Sequence, residues 1–349
     1  MLKVSSEAES YWERIERAFE QAQLNRGRVV QHYSIAGLTV ELNFAGPALV
    51  HFLTQALDHL KVTSEKSPKL RVYIWDSMTT GVPLQAPPLG DALLPMGQIP
   101  GFNTERFSAI YNITGQILYF FDQVRQEAFF WAKDPATLPE DIKGLPLRPI
   151  FHWWLSNEEM QIAHAGLVGL QNGKGALIVG QGGVGKSTTM LTCLKAGLLY
   201  GGDDRIILQF TEKGVLAHSL YRSARLTTVQ LNQTFPDLAS YVVNPNRGEA
   251  EKALLILDGP LSDCLVASPL TLSAILLPSI TGQNDTSVEA VSGAKALVKL
   301  VPGTMFPQRM PTPGEFMAQS TLVKQIPCYQ LNLGTELSQI PSAIEPLIS

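Results

Sequence analysis

The chain has 349 residues, 45% of them hydrophobic, which is more than one domain usually holds and enough to bury a core; this excludes a disordered chain and sets two domains as the expectation. A formal net charge of -4 and a pI near 5.9 exclude the basic footprint of a nucleic-acid binder or of a protein drawn to an anionic membrane. Cys193, Cys264 and Cys328 have no C-x-x-C spacing, so neither a metal knot nor a redox pair is expected, and they read as buried thiols of a reducing compartment. The N-terminus is charged within its first turns, and the sequence has no 18-residue apolar segment. A cytoplasmic chain with no membrane partner is therefore expected.

Along the chain, Tyr11, Trp12, Ile15, Phe19 and Ala22 recur at helical spacing between charged residues and predict an amphipathic helix. Leu38, Val40, Leu42 and Phe44 alternate with polar residues, the pattern of a half-buried strand. A helix over 48–60, a strand over 70–77 and aromatic strands over 107–113 and 115–133 follow, with a loop rich in proline and glycine over 85–102. This predicts a mixed α/β module with antiparallel hairpins, its aromatics filling a sheet face. Pro135, Pro139, Pro146 and Pro149 then crowd into sixteen residues, 134–149, which continues neither helix nor central strand. The domain boundary is expected there, as 1–145 and 146–349, with a short helical stretch around Trp153 and Trp154 just beyond it.

The second region contains the stretch "ALIVGQGGVGKSTTMLTCLKAG". Ala176–Val179 predicts a buried strand, Gly180, Gly182, Gly183 and Gly185 a tight loop, and Met190, Leu191 and Leu194 the apolar side of a following helix. The G-x-x-x-x-G-K-[ST] spacing is that of a phosphate-binding P-loop, in which backbone N–H groups from Gly180, Gln181, Gly182, Gly183, Val184, Gly185 and Thr188 face the phosphates. Lys186 then reaches the β- and γ-phosphates, and the Ser187 hydroxyl is a ligand for Mg²⁺. Asp203 and Asp204 follow Lys186 by 17 and 18 residues, past the helix, its Gly197 stop and a short strand over 198–200. If that strand runs alongside the P-loop strand, both carboxylates sit at its carboxyl end beside the γ-phosphate. One would hold Mg²⁺ and the other accept a proton from an attacking hydroxyl. Arg205, Arg222 and Arg225 are candidates for stabilising the transferring phosphoryl, whereas Lys252 reads as an exposed flank.

The run "AHAGLVGLQNGKGALIVGQGGVGKSTTMLTCLKAGLLYGGDDRIIL" resembles the HPr kinase family and the related serine kinases whose core is similar to phosphoenolpyruvate carboxykinase. The resemblance is carried by a His-containing strand, a glycine turn, the P-loop, its helix and Asp-Asp-Arg, in unbroken order over about 45 residues. "HSLYRSARL" and "IPCYQLNLGTE" match more weakly. It implies an α/β P-loop kinase domain of that type preceded by a smaller mixed α/β domain. It further implies ATP and Mg²⁺ as cofactors, His164 near the transferred phosphate, and base and metal duties divided between Asp203 and Asp204. His164-Ala165 stands where bifunctional HPr kinase/phosphorylases have His-Gly, and their Glu-x-Arg-Gly-x-Gly stretch is missing, so the reverse reaction and HPr as substrate do not follow. Related members phosphorylate a serine on a peptide, so the implied partner is a peptide or protein carrying an acceptor serine. The N-terminal module does not resemble that of HPr kinase, but its hairpin strands can present a sheet edge, and the acceptor is expected to be held there. The bifunctional relatives are hexamers, which leaves a homo-oligomer open.

Two other readings remain at this point. A small-metabolite P-loop kinase also places acids soon after its first helix, but it carries an arginine-rich lid, and after Arg225 only Arg247 and Arg309 occur. A non-catalytic nucleotide-dependent switch keeps the P-loop and has little use for adjacent acids.

Overall fold

A computed structural model describes residues 6–63, 66–88, 97–305 and 313–349. They form a mixed α/β protein in two compact units, Met1–Glu158 and Glu159–Ser349. In the first, the helix Ser6–Arg26 buries Ala8, Tyr11, Trp12, Ile15, Phe19 and Ala22, the face its periodicity predicts. That face packs on a seven-stranded sheet made of β1 (Arg28–Ile35), β2 (Leu38–Ala45), β3 (Lys61–Val62), β4 (Leu70–Asp76), β5 (Phe107–Asn112), β6 (Ile117–Asp122) and β7 (Glu127–Ala132). The order is β3-β1-β2-β4-β7-β6-β5. Antiparallel hairpins occur at β1–β2 and through β5–β6–β7, as expected. The centre differs: β2, β4 and β7 are parallel neighbours, a pairing that requires long crossovers and leaves no local turn signal. The helix expected over 48–60 is broken into Val50–Thr54 and a 3-10 turn at Asp58–Leu60. Part of the loop expected over 85–102, residues 89–96, lies outside the described residues.

The chain divides after Glu158 rather than after Leu145. Pro149 does not end structure there. It sits in the first turn of the helix Arg148–Asn157, where its missing N–H has no intrahelical partner to lose. Ile150, Phe151, Trp153 and Trp154 of that helix are buried within the first unit.

All five tryptophans, Trp12, Trp75, Trp131, Trp153 and Trp154, belong to the first unit, so intrinsic fluorescence isolates its unfolding. Phe120 is fully buried, with Trp12, Phe107 and Phe102 rings at 5.2, 5.2 and 5.7 Å. Phe120→Ala is expected to cost this unit about 3–5 kcal/mol, read as a lower urea midpoint of the tryptophan signal at unchanged slope.

The second unit begins with β8 (Met160–Gly169) and β9 (Lys174–Val179), followed by the helix Lys186–Lys195. β10 (Leu199–Gly202), β11 (Arg205–Thr211), β12 (Gly214–Ser219), β13 (Ser223–Leu226) and β14 (Ala253–Ile256) come next. β15 (Leu270–Ile280), β16 (Ser287–Val291), the helices Gly293–Met305 and Pro313–Gln325, β17 (Cys328–Leu333) and the helix Gln339–Ile344 complete it. β8, β11, β12, β15 and β9 pair in a closed cycle. β17 and β16 extend from β15, and β10 from β8. β9 is covered on both faces. Ala176 and Ile178 pack with Met190, Leu191 and Leu194 of the helix Lys186–Lys195, while Leu177 and Val179 pack with Leu300 and Leu322 of the two later helices. This explains why β9 reads as a continuous apolar run instead of alternating.

Candidate functional site

The site is built on one row across three strands. β9 ends its pairing at Ala165↔Val179, and the chain turns away into the glycine loop. On the other edge of β8, Arg205 lies opposite His164, and the Ala165 N–H donates to the carbonyl of Asp204 at 3.2 Å. β10 therefore does not run alongside β9 as expected, because β8 stands between them. Both β9 and β10 are antiparallel to β8 and so point the same way. The carboxyl-end placement of Asp203 and Asp204 thus survives the changed neighbour, and the interposed strand delivers His164 into the same row.

Gly180–Gly185 joins β9 to the helix Lys186–Lys195. Gly185 caps that helix at φ 102°, and a Cβ there would run into the Leu333 side chain. Gly185→Ala is expected to cost about 1–3 kcal/mol from the backbone strain alone, seen as a lowered calorimetric transition of the second unit. Gln181, Gly182 and Gly183 are exposed, while Lys186 is 8% exposed. The Lys186 ammonium donates to the carbonyls of Gly180 at 2.6 Å and Gln181 at 3.2 Å. Burial pushes its pKa below the usual lysine value, and the Lys252 and Arg205 charges add to that against Asp203 and Asp204. Lys252 is the exposed flank expected before β14; its carbonyl accepts from Asn244 Nδ2 at 3.0 Å.

Asp203 is 7% exposed. Its Oδ2 accepts from the Arg225 N–H at 3.4 Å, and the Ser187 side chain is close enough to favour its ionised form. Burial raises its pKa, and the Ser187 side chain and the Lys186 charge only partly oppose that. Its Oδ1 is buried with no hydrogen-bond partner among the described residues, an arrangement worth avoiding by about 1–3 kcal/mol unless a ligand completes it.

Asp204 is in a different environment. His164 Nδ1 lies 2.5 Å and Arg205 Nη1 3.2 Å from its Oδ1. Burial would raise this carboxyl, but the His164 hydrogen bond and the charges of Arg205, His164 and Arg225 outweigh it, holding Asp204 well below the usual carboxylate range. His164 Nε2 faces the Lys186 ammonium at 3.4 Å. A lysine ammonium only donates, so Nε2 is the accepting nitrogen and the ring proton sits on Nδ1, toward Asp204. Nδ1 lies 2.5 Å both from the Asp204 oxygen, which only accepts, and from Arg205 Nη1, which only donates; the proton on Nδ1 is assigned by the Asp204 contact together with the Lys186 donor at Nε2.

All the residues singled out from the sequence as catalytic, His164, Lys186, Asp203 and Asp204, are therefore brought together with Ser187. Thr188 instead accepts from Gln230 Nε2 at 3.0 Å. Gln230 was not anticipated, although a signal existed. Thr227-x-x-Gln230 is a capping box in which the Thr227 N–H donates to Gln230 Oε1 and the Gln230 N–H to Thr227 Oγ1. Thr304 was not anticipated either; it accepts from the His164 N–H at 3.0 Å and, unlike Gln230, carries no sequence signal.

Among the described residues no group of three or more His, Cys, Asp or Glu side chains is arranged to hold a metal ion. None of their helices is long and apolar enough to cross a membrane. The fold and site thus define a mixed α/β protein whose glycine loop and helix N-terminus meet a buried acid pair and a histidine. No family model matches the chain, and no curated protein matches it. Among solved structures, it is similar to the HPr(Ser) kinase/phosphatase from Coxiella burnetii at 12% identity and a TM-score of 0.29, over 54% of this chain and 93% of that one. A likeness at that level carries no argument about chemistry.

Proposed function

We propose that this chain is a kinase that transfers the γ-phosphoryl group of ATP, with Mg²⁺, to a serine hydroxyl of a peptide or protein. The observation that carries the reading is Asp203 Oδ1, a buried carboxylate oxygen left without a partner beside Ser187, at the end of a lysine-bearing glycine loop. Ser187 and Asp203 would hold Mg²⁺, an ion that takes few protein ligands and keeps water and phosphate oxygens in its remaining positions. When bound, Mg²⁺ would neutralise charge on the β- and γ-phosphates.

The residues of the chain do the rest. Lys186 exchanges its carbonyl contacts for the phosphates, which frees His164 Nε2. The serine hydroxyl gives its proton to Nε2 as its oxygen bonds to phosphorus and the bond to the β-phosphate bridge breaks, releasing ADP. Asp204 stays ionised and holds the imidazolium, as the acid of a Ser-His-Asp triad does. Arg205 and Arg225 add positive charge around the same carboxylate. The acceptor is proposed to lie along strands of the first unit, with its backbone adding to a sheet edge.

The test is incubation of the full chain with γ-labelled ATP, Mg²⁺ and serine-containing peptides. Label on serine that disappears with EDTA supports the reading, and exchange protection of first-unit strands by the best acceptor supports its docking. Absence of ATP binding would overturn the kinase; release of free phosphate alone, with every peptide unlabelled, would overturn the acceptor.

A further inference from the structure

The helix Gly293–Met305 ends against His164, and two independent contacts make that end more than a packing neighbour. The first is a consequence of the glycine loop itself. Because β9 leaves the sheet after Val179, whose partner is Ala165, the His164 N–H has lost the strand that would otherwise accept it. Thr304 fills the gap, its Oγ1 lying 3.0 Å from that N–H, and Thr304 is only 5% exposed. The second contact is with the ring. A Cβ at Gly303 would fall 2.6 Å from His164 Cδ2 and 3.0 Å from both its Cβ and Cγ, so the helix backbone lies flat against the imidazole and any side chain there must push it. One residue before, Pro302 stands inside the helix. It lacks the N–H that would bond the turn before it, which loosens the helix where it meets the strand.

We infer that Gly303 and Thr304 are positioning residues for His164: the hydroxyl anchors its backbone at the gap opened by the glycine loop, and the bare glycine sets the ring plane. In that plane Nδ1 reaches Asp204 and Nε2 reaches Lys186 at once. Both residues meet His164, and both act through it. The inference rests on the kinase reading for its catalytic consequence, but the geometry it describes exists without it.

The test separates the two. In full-length protein with ¹⁵N-labelled histidine, long-range proton–nitrogen spectra report which ring nitrogen of His164 carries the proton, with the signal assigned through His164→Gln. Wild type is expected to show the Nδ1–H tautomer. Thr304→Val keeps the side-chain shape and removes the acceptor, and Gly303→Ala displaces the ring; both are expected to mix the tautomers, while Thr304→Ser restores the wild-type spectrum. In the transfer assay, the first two variants are expected to lose about tenfold or more in kcat with little change in KM for ATP, and Thr304→Ser to recover it.

An unchanged His164 spectrum in both Thr304→Val and Gly303→Ala overturns the inference whether or not the protein is a kinase. So does equal loss in Thr304→Val and Thr304→Ser, which would mark a fold defect. Altered tautomers without any transfer activity in wild type would instead remove the kinase reading and leave the positioning role standing.

Discussion

Asp204→Asn is expected to lower phosphoryl transfer by on the order of 10³–10⁴ while ATP binding stays close to wild type, the size of effect that follows when the acid behind a catalytic histidine is made neutral. The substitution is nearly isosteric, so the fold has no reason to respond. Its electrostatics change completely. Asp204 is an ionised acceptor between two donors, His164 Nδ1 at 2.5 Å and Arg205 Nη1 at 3.2 Å. An amide offers one acceptor oxygen and two donor hydrogens. If Arg205 keeps the oxygen, the amide N–H turns toward Nδ1, draws the ring proton to Nε2 and aims it at the Lys186 ammonium. The tautomer is then wrong for taking a proton, and no carboxylate remains to hold an imidazolium. Single-turnover kinetics with saturating ATP isolate this step. Transfer at wild-type rate in Asp204→Asn would mean that His164 and Asp204 form a structural ion pair and that the proton leaves by another route.

The second large effect is expected from Lys186→Ala, with turnover down by on the order of 10²–10³, the usual result of removing one preorganised charge from a transferring group, together with weakened nucleotide affinity. Lys186 is held ready for anions because it is poorly solvated. Burial depresses its pKa, and its three neighbours within hydrogen-bonding distance are two carbonyls and a ring nitrogen, none carrying a full negative charge. A phosphate offers what those neighbours lack. Substitution by arginine is not expected to rescue, since a planar guanidinium cannot replace a point charge seated between the carbonyls of Gly180 and Gln181. Isothermal titration with ATP and with ADP reads the loss directly. Equal affinity for both nucleotides in wild type and Lys186→Ala would take Lys186 out of the phosphate site and the kinase reading with it.

The two effects differ in a way that discriminates between the halves of the mechanism. Asp204→Asn is expected to change rate alone, whereas Lys186→Ala changes rate and binding together, because one residue meets only the developing charge and the other meets the ground-state phosphates as well.

Local pattern was enough to read several elements of this protein. The helix Ser6–Arg26 was legible from Tyr11, Trp12, Ile15 and Phe19, because 3.6-residue periodicity needs no partner to be recognised. The alternation of β2 and the strand, glycine turn and helix over 174–195 were legible for the same reason. The spacing of Lys186, Ser187, Asp203 and Asp204 was already suggestive of one site. Tertiary structure alone decided who stands next to whom. β8 rather than β10 is the neighbour of β9, and β2, β4 and β7 run parallel, because strand order follows from burying both faces of each strand, and no short segment encodes that. The same packing separated the acids, leaving Asp203 with Ser187 and Asp204 with His164, although the two are adjacent in sequence and identical in composition. It also brought Thr304 to His164 across 140 residues. A hydroxyl at the end of a helix has no pattern of its own; it acquires a role only when another strand turns away and leaves an N–H to be satisfied.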